Sequence, residues 1–289
     1  MPSVKDLRDR IKSLKNTQQI TKAMKQVAAA KIRRAEMAQK QARPYADALS
    51  QMLRDLMGAV SSVDHPFMKP GKAGAPSGVI LMTADKGLAG AFNANLIRAA
   101  EIYVKTHADA SFFTVGNKGR NTVRRMDRAN HPTWALNAPS KIDTARAVAA
   151  AVTDAFVAGE IGDIVLISPK LVSMMSQKPE TRRLVPIEQT ALVGDAPVEK
   201  KAGAVEFSPS PEFVLSRLLP KYLEFTIYSA MLETDAAFFA AQLIAMNNAT
   251  DNAGKLIDEL TIKMNNARQA AITKELLEIV AGAEALSGS

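Results

Sequence analysis

The turn at residues 85–90, which reads DKGLAG, has residue types that could bind a phosphate. It follows an apolar run at residues 79–83 and precedes a predicted helix. Backbone amides between a strand and a helix often bind nucleotide phosphates. The turn lacks the full dinucleotide fingerprint, however, and the sequence contains no GxxxxGK[ST]. We therefore interpret it as a structural turn, with a nucleotide site as the alternative.

The other residues that could do chemistry are scattered. His65, His107 and His131 stand far apart, and none has a second ligand at metal-binding spacing. Asp258 and Glu259 are interpreted as a solvated helix face rather than a catalytic pair, and no nucleophile elbow occurs. The chain has no cysteine, which excludes disulfides and thiolate metal sites of its own. We therefore predict no catalytic residue, no metal and no cofactor.

The central part of the chain alternates predicted strands and helices. Strands are predicted at 79–83, 112–116 and 161–168, helices at 91–106, 119–128 and 142–158, an edge hairpin at 170–176 with 181–186, and a short strand at 205–207. Continuous apolar runs are typical of parallel strands buried on both faces. The pattern predicts a Rossmann-like α/β domain over residues 78–210.

Both ends of the chain are predicted to be long helices. The first, residues 1–57, begins at Ser3 with Asp6 in its first turn, which suits an N-cap. Its apolar residues start at a spacing of three and four, typical of a coiled-coil seam, and then drift: Val4, Leu7, Ile11, Leu14, then Ile20, Met24, Val27, Ile32 and Ala35. Pro44 is expected to bend or restart this helix.

The second long helix is predicted over residues 212–286, with one interruption at Pro220. Small and medium residues recur along it as a seam, from Ala249 to Ala271. Two such helices around a compact domain suggest pairing with each other. The predicted fold class is therefore α/β, with a long antiparallel coiled coil of the N- and C-terminal helices plus the central Rossmann-like α/β domain.

Charge and hydropathy are unevenly distributed. Residues 1–54 hold thirteen Lys and Arg against four Asp and Glu, a net charge of +9, whereas the whole chain carries +8. Such a helix is either a solvated face or a face for phosphate, anionic lipid or an acidic protein. No run of about 18 apolar residues and no signal peptide is found, so we expect a soluble, intracellular-type chain.

The end of the second helix has apolar residues on more than one face: Ile272, Leu276, Leu277, Ile279, Val280 and Leu286. They either pack on the first helix or need a socket in another protein, because one partner helix covers only one stripe.

Three stretches carry a family resemblance: residues 16–31, with NTQQITKAM and VAAAK; residues 83–93, TADKGLAGAFN; and residues 249–275, with ATDNA and NARQAAITKE. In this order they resemble the gamma subunit of bacterial F-type ATP synthases along the whole chain. The resemblance implies a non-catalytic central-stalk rotor. Its coiled coil would turn inside a ring of alpha and beta subunits, and its α/β domain would join the epsilon subunit and the c-ring.

The resemblance also implies partner contacts. Met24 and Lys25 would face an acidic loop of beta, and Glu206 and Phe207 would lie near epsilon and the c-ring. The contacts with the alpha/beta ring near the C-terminus would be Arg268, Gln269, Ile272, Thr273 and Leu276. Membrane contact would come only through partners, on the cytoplasmic face of the bacterial plasma membrane.

The sequence departs from the family at residues 237–243, AFFAAQL, where the family has a Glu-His pair before an Ala-Ala-Arg-Met run. Charges tied to coupling in the family are therefore missing near Gln242. The rival interpretation is a basic coiled-coil protein that binds nucleic acid, with an affinity that falls steeply with salt. Against it, aromatic residues are too few for single-strand stacking. A nucleotide-binding Rossmann enzyme is a third option.

Overall fold

The structure is a computed structural model that describes residues 3–59, 65–128, 131–187 and 210–287. These residues divide into two compact units. Those up to Ala28, together with those from Leu243 onward, form a helical-pair unit. Those between Ala29 and Gln242 form a sheet unit.

The elements alternate in the centre of the chain and are helical at both ends. The helices are α1 (Val4–Ala59), α2 (Phe92–Thr106), α3 (Asn117–Arg125), α4 (Lys141–Val157) and α5 (Pro211–Ser287), with a 3-10 turn at Pro66–Met68. The strands are β1 (Ser77–Met82), β2 (Ser111–Val115), β3 (Thr133–Trp134), β4 (Asp163–Ser173) and β5 (Ser176–Val185).

The strands form one five-stranded sheet in the order β3-β2-β1-β4-β5. Strands β1 to β4 are parallel, and β5 pairs with β4 in the antiparallel direction. The predicted α/β class is confirmed. The predicted break between a strand at 161–168 and a hairpin strand at 170–176 is wrong, because pairing with β5 continues past Pro169 to Leu171 and Ser173.

The sheet is buried on both faces, which is why its strands are continuous apolar runs. Under α2 and α3 the core contains Val79, Leu81, Ala100, Phe112, Val123 and Ile167. The opposite face packs on α4 and on parts of α1 and α5, with Leu53, Ile80, Phe113, Val152, Leu166 and Leu219. The segments of α1 and α5 that belong to the sheet unit thus form part of its core.

The seam of α1 in the helical-pair unit keeps a strict heptad and does not drift as predicted. Ile20 and Val27 are 60% and 55% exposed. The positions that continue the spacing of three and four are Gln18, Thr21, Lys25 and Ala28, all buried or half-buried. Polar side chains therefore occupy three consecutive seam positions, which the search for apolar residues missed.

The start of α1 has the predicted cap. The amide of Asp6 donates to Ser3 Oγ at 3.1 Å, and the amide of Ser3 donates to Asp6 Oδ2 at 3.1 Å. These two bonds, and then Arg10, hold the pKa of Asp6 below its ordinary value. A restart at Pro44 is not observed, because Pro44 lies inside α1, as Pro220 lies inside α5.

Candidate functional site

The turn at residues 85–90 is closed by its own side chains. The carboxylate of Asp85 accepts hydrogen bonds from the amides of Asn117, Leu136 and Asn137 at 3.0, 3.3 and 2.8 Å. Asn117 is the first residue of α3, so the Asp85 carboxylate binds the helix N-terminus, where a phosphate would otherwise bind. Asn93 also ties the turn, accepting from the amide of Ala84 at 3.0 Å.

The backbone behind this turn is closely packed. Gly116 has a φ of +98°, and a Cβ there would lie 2.1 Å from the carbonyl oxygen of Thr83. The amide of Gly119 donates to Thr83 Oγ1 at 2.7 Å. Thr83 therefore packs against the backbone at the start of α3, and the contacts of Thr83 and Asp85 support the interpretation of the turn as structural.

Buried charge occurs where α4 and α5 meet in the sheet unit. Lys141 Nζ lies 3.1 Å from Asp235 Oδ2 and donates to the carbonyl of Leu136 at 3.1 Å. Burial raises the pKa of Asp235, and the ion pair with Lys141 opposes that shift. No nucleophile or general base among the described residues joins the pair, so we assign it a role in packing.

The helical-pair unit brings α1 and α5 together in antiparallel order. Gln18 Nε2 donates to the carbonyl of Thr250, Thr21 Oγ1 lies 2.8 Å from Thr250 Oγ1, and Lys25 Nζ donates to Asn247 Oδ1. Residue numbers rise on α1 as they fall on α5, as an antiparallel pair requires. The antiparallel pairing predicted from the sequence is therefore observed here.

The end of α5 has no cover within its unit. Every residue from 268 to 281 is exposed, and we call this stretch the terminal segment. Its apolar residues are 50% to 67% exposed: Ile272, Leu276, Leu277, Ile279 and Val280. Packing of these side chains on α1 is therefore excluded. Leu286 lies outside the described side chains.

The residues predicted to contact partners fall into three groups. Arg268, Gln269, Ile272, Thr273 and Leu276 all lie in the exposed terminal segment. Met24 and Lys25 are half-buried on α1, and the Lys25 ammonium bonds within its own unit. Glu206 and Phe207 lie outside the described residues.

The departure at residues 237–243 is an aromatic cluster. Phe238 and Phe239 are 2% and 5% exposed, and Phe238 packs edge-on against Phe92 at a centroid distance of 5.8 Å. Lys31 Nζ lies 4.9 Å above the centre of the Phe239 ring. A cation–π contact between α1 and α5 thus lies at the stretch where the sequence departs from the family resemblance.

The described part of the chain contains neither a metal-binding cluster nor a membrane-spanning helix. No group of three or more His, Cys, Asp or Glu residues there could hold a metal ion. No described helix is long and apolar enough to cross a membrane.

Known proteins resemble this chain over its whole length. A protein-family model described as ATP synthase matches residues 3–286 of the chain. The ATP synthase gamma chain of Heliobacterium modesticaldum is 41% identical over 290 residues, covering 99% of this chain and 100% of the relative. That of Pelotomaculum thermopropionicum is 43% identical over 291 residues, with the same coverage.

Solved structures share the fold. A chain of the Euglena gracilis mitochondrial ATP synthase has a TM-score of 0.68 at 19% identity, covering 98% of this chain and 94% of that one. A chain from the central stalk and c-ring of the Tetrahymena thermophila enzyme has a TM-score of 0.59 at 23% identity, covering 80% and 99%. The comparisons give no support to the nucleic-acid alternative. By its sequence, this chain belongs to the ATP synthase gamma-chain family.

Proposed function

We propose that this chain is the central-stalk rotor subunit of a bacterial F-type ATP synthase and has no catalytic residue of its own. The observation that carries the proposal is the full-length match to bacterial ATP synthase gamma chains. The structures with the same fold come from assemblies named as central stalk, rotor and c-ring.

The exposed terminal segment supports insertion into a ring of alpha and beta subunits. These apolar side chains are about half exposed in the chain alone, and covering them in a socket would remove apolar surface from water and so favour binding. Arg268, Gln269 and Thr273 lie among them and can hydrogen-bond to the rim of such a socket. We propose this segment as the bearing surface of the rotor.

The cations of α1 support a second contact with the ring. No Lys or Arg of α1 forms an ion pair with any residue that the structure describes. An acidic loop of beta would complement this charge. Lys25 already has a partner in Asn247, so we assign this contact to the exposed cations around Met24.

The sheet unit is proposed to join the epsilon subunit and the c-ring, near Glu206 and Phe207, on the cytoplasmic face of the membrane. Rotation of the c-ring would then turn the helical pair. Each orientation of an asymmetric shaft stabilises a different conformation of each beta subunit, and so a different affinity for nucleotide. The closed turn at Asp85 supports a mechanical role without nucleotide binding.

The test is reconstitution with purified alpha and beta subunits. The intact chain, and a chain cut after Asn265, are compared by complex size and ATP hydrolysis. We expect the intact chain to form a stable active complex and the shortened chain to lose stability or coupling. An intact chain that neither joins alpha and beta nor changes their activity refutes the proposal, and a salt titration with nucleic acid would follow.

A further inference from the structure

We propose that a polar layer in the helical-pair unit acts as a lock against sliding of α1 along α5. The layer consists of Gln18, Thr21 and Lys25 on α1 and Asn247 and Thr250 on α5. By fixing the register of the two helices, these positioning residues let the pair transmit torque. The consequence for torque rests on the proposed function, whereas the lock itself is a property of the chain alone.

The positions of these residues in the heptad give the first argument. Leu7, Ile11 and Leu14 are apolar seam residues, and a shift of about one helical turn brings the next seam position into the place of each. Gln18, Thr21 and Lys25 occupy the next three seam positions. Polar residues at seam positions reduce stability but specify register, because a shifted pairing leaves them without partners.

The contacts across the layer join side chains of both helices. Thr21 Oγ1 donates to the carbonyl of Gln18 at 3.0 Å and can accept from Thr250 Oγ1 at 2.8 Å. The single proton of the Thr250 hydroxyl is shared between Thr21 Oγ1 and the carbonyl of Met246, which also lies at 2.8 Å. Gln18 Nε2 donates to the carbonyl of Thr250 at 3.4 Å. Lys25 Nζ donates to Asn247 Oδ1, whose amide nitrogen donates to Asp251 Oδ2 at 3.1 Å.

Gly254 adds a steric component to the lock. A Cβ at this position would lie 3.1 Å from Gln18 Nε2, which is tighter than ordinary van der Waals contact. The Gln18 amide therefore sits where α5 carries no side chain. Sliding α5 by about one helical turn would instead bring a residue with a side chain opposite that amide, because Thr250 and Asp258 are four residues from Gly254 on the same face.

Torque loads this layer because twisting two paired helices makes one slide along the other. A slide of one helical turn is about 5.4 Å. Hydrogen bonds of 2.8 to 3.4 Å do not survive such a displacement. Apolar seam contacts, which have no direction, can re-form after it. The polar layer is thus the part of the pair that resists shear.

The test uses a layer variant that removes every cross-helix polar side chain of the layer: Gln18→Leu, Thr21→Val, Lys25→Met, Asn247→Leu and Thr250→Val. Valine keeps the shape of threonine, and replacing both partners of a bond by apolar groups is nearly neutral for stability. The matched control is Thr261→Val, because the Thr261 hydroxyl donates only to the carbonyl of Ile257 in its own helix, at 2.7 Å.

Register is measured in the full chain by spin-label distances. The chain has no cysteine, so cysteines introduced at the exposed Gln19 and Lys263 are the only labelling sites. Gln19 lies next to Gln18, whose side chain meets Thr250, so the two labels are offset by about 15 Å along the helix axes and a slide changes the distance between them. We expect one narrow distance in the parent and in the control. The layer variant should gain a second component displaced by about one helical turn, or 5 Å, without a lower melting temperature. An unchanged single distance overturns the proposal.

Coupling is measured after assembly with the other subunits in vesicles. We expect the layer variant to retain ATP hydrolysis and to lose proton pumping per ATP several-fold, whereas the control keeps both. Thr21→Ser with Thr250→Ser retains both hydroxyls and should behave as the parent. A layer variant with a displaced distance and parental pumping overturns the torque role. If the parent itself fails to join alpha and beta, the proposed function fails, and the distances still decide the lock.

Discussion

Replacing apolar residues of the terminal segment should weaken assembly without destabilising the free chain. The variant carries Leu276→Ser, Leu277→Ser and Ile279→Ser. These side chains are 57%, 64% and 67% exposed, so the folded chain alone gains little from them. A socket in the alpha/beta ring would remove that exposed area from water.

The magnitude follows from the exposed fractions. Full burial of a Leu or Ile side chain is worth about 1.5–3 kcal/mol. Applied to the exposed fractions of the three residues, this gives about 3–6 kcal/mol of lost binding free energy. At about 1.4 kcal/mol per tenfold, the dissociation constant for the ring should rise by roughly 10²–10⁴.

The assay is competition of unlabelled variant against dye-labelled parent chain for purified alpha and beta subunits, paired with thermal unfolding of each chain alone. Val157→Ser is the matched control, because Val157 is 65% exposed but lies on α4 in the sheet unit. We expect the control to bind as the parent does. Parental affinity of the triple variant, or a melting temperature that falls with the affinity, would refute the reasoning.

Three further predictions concern the sheet unit. Asp85→Ala should destabilise this unit by about 2–5 kcal/mol, because three backbone amides lose a charged hydrogen-bond acceptor. Native-state hydrogen exchange should accelerate at those amides. An exchange rate equal to that of the parent chain would contradict the assigned contacts. Gly116→Ala should be still more disruptive, because of its φ of +98° and its contact with Thr83, and a soluble variant with parental unfolding would show that the turn has room. Burial lowers the pKa of His65, whose Nδ1 accepts from the amide of Phe67. The folded state therefore binds a proton at His65 less readily than the unfolded state does. The stability that His65 contributes is present above pH 6.5 and is lost as pH falls through the lowered pKa. His65→Gln should flatten the pH dependence of the free energy of unfolding, measured by urea unfolding across that window, and an unchanged pH dependence would remove His65 as the cause.

The sheet could be predicted from the sequence because its signal is local. Each parallel strand is a short apolar run, and burial on both faces demands such a run whatever its neighbours are. The β4 strand was divided wrongly at Pro169, because a proline inside an apolar run indicates the end of a strand. Lys170 and Ser173 stay in the strand through pairing with β5, which no local pattern shows.

The helical pair could be predicted only in outline. The apolar residues Ile20 and Val27 were predicted to lie in the seam, but both are exposed. The observed seam keeps the heptad at Gln18 and Thr21, because Thr250 and its carbonyl lie opposite to satisfy them. A search for spacing alone, without regard to polarity, would have found these positions.

The partner-binding residues could be predicted where apolar pattern or family resemblance indicated them. The residues whose roles depend on tertiary contacts could not be predicted. The terminal segment was identified from its apolar residues on several faces. The role of Asp85 depends on amides 32 to 52 residues away in sequence, which no spacing rule reveals. The cluster around Phe239 likewise depends on Lys31 from the other end of the chain.

Strand β5 has a consequence for how the free chain behaves at high concentration. Its outer edge has no partner strand among the described residues, and such edges invite strand pairing between molecules. Here Pro179 offers no amide hydrogen, and Lys178, Arg182 and Arg183 place exposed charge along the edge. Edge-to-edge aggregation is thereby disfavoured. Self-association of the purified chain should instead begin at the uncovered helix end and should fade when that end is shortened.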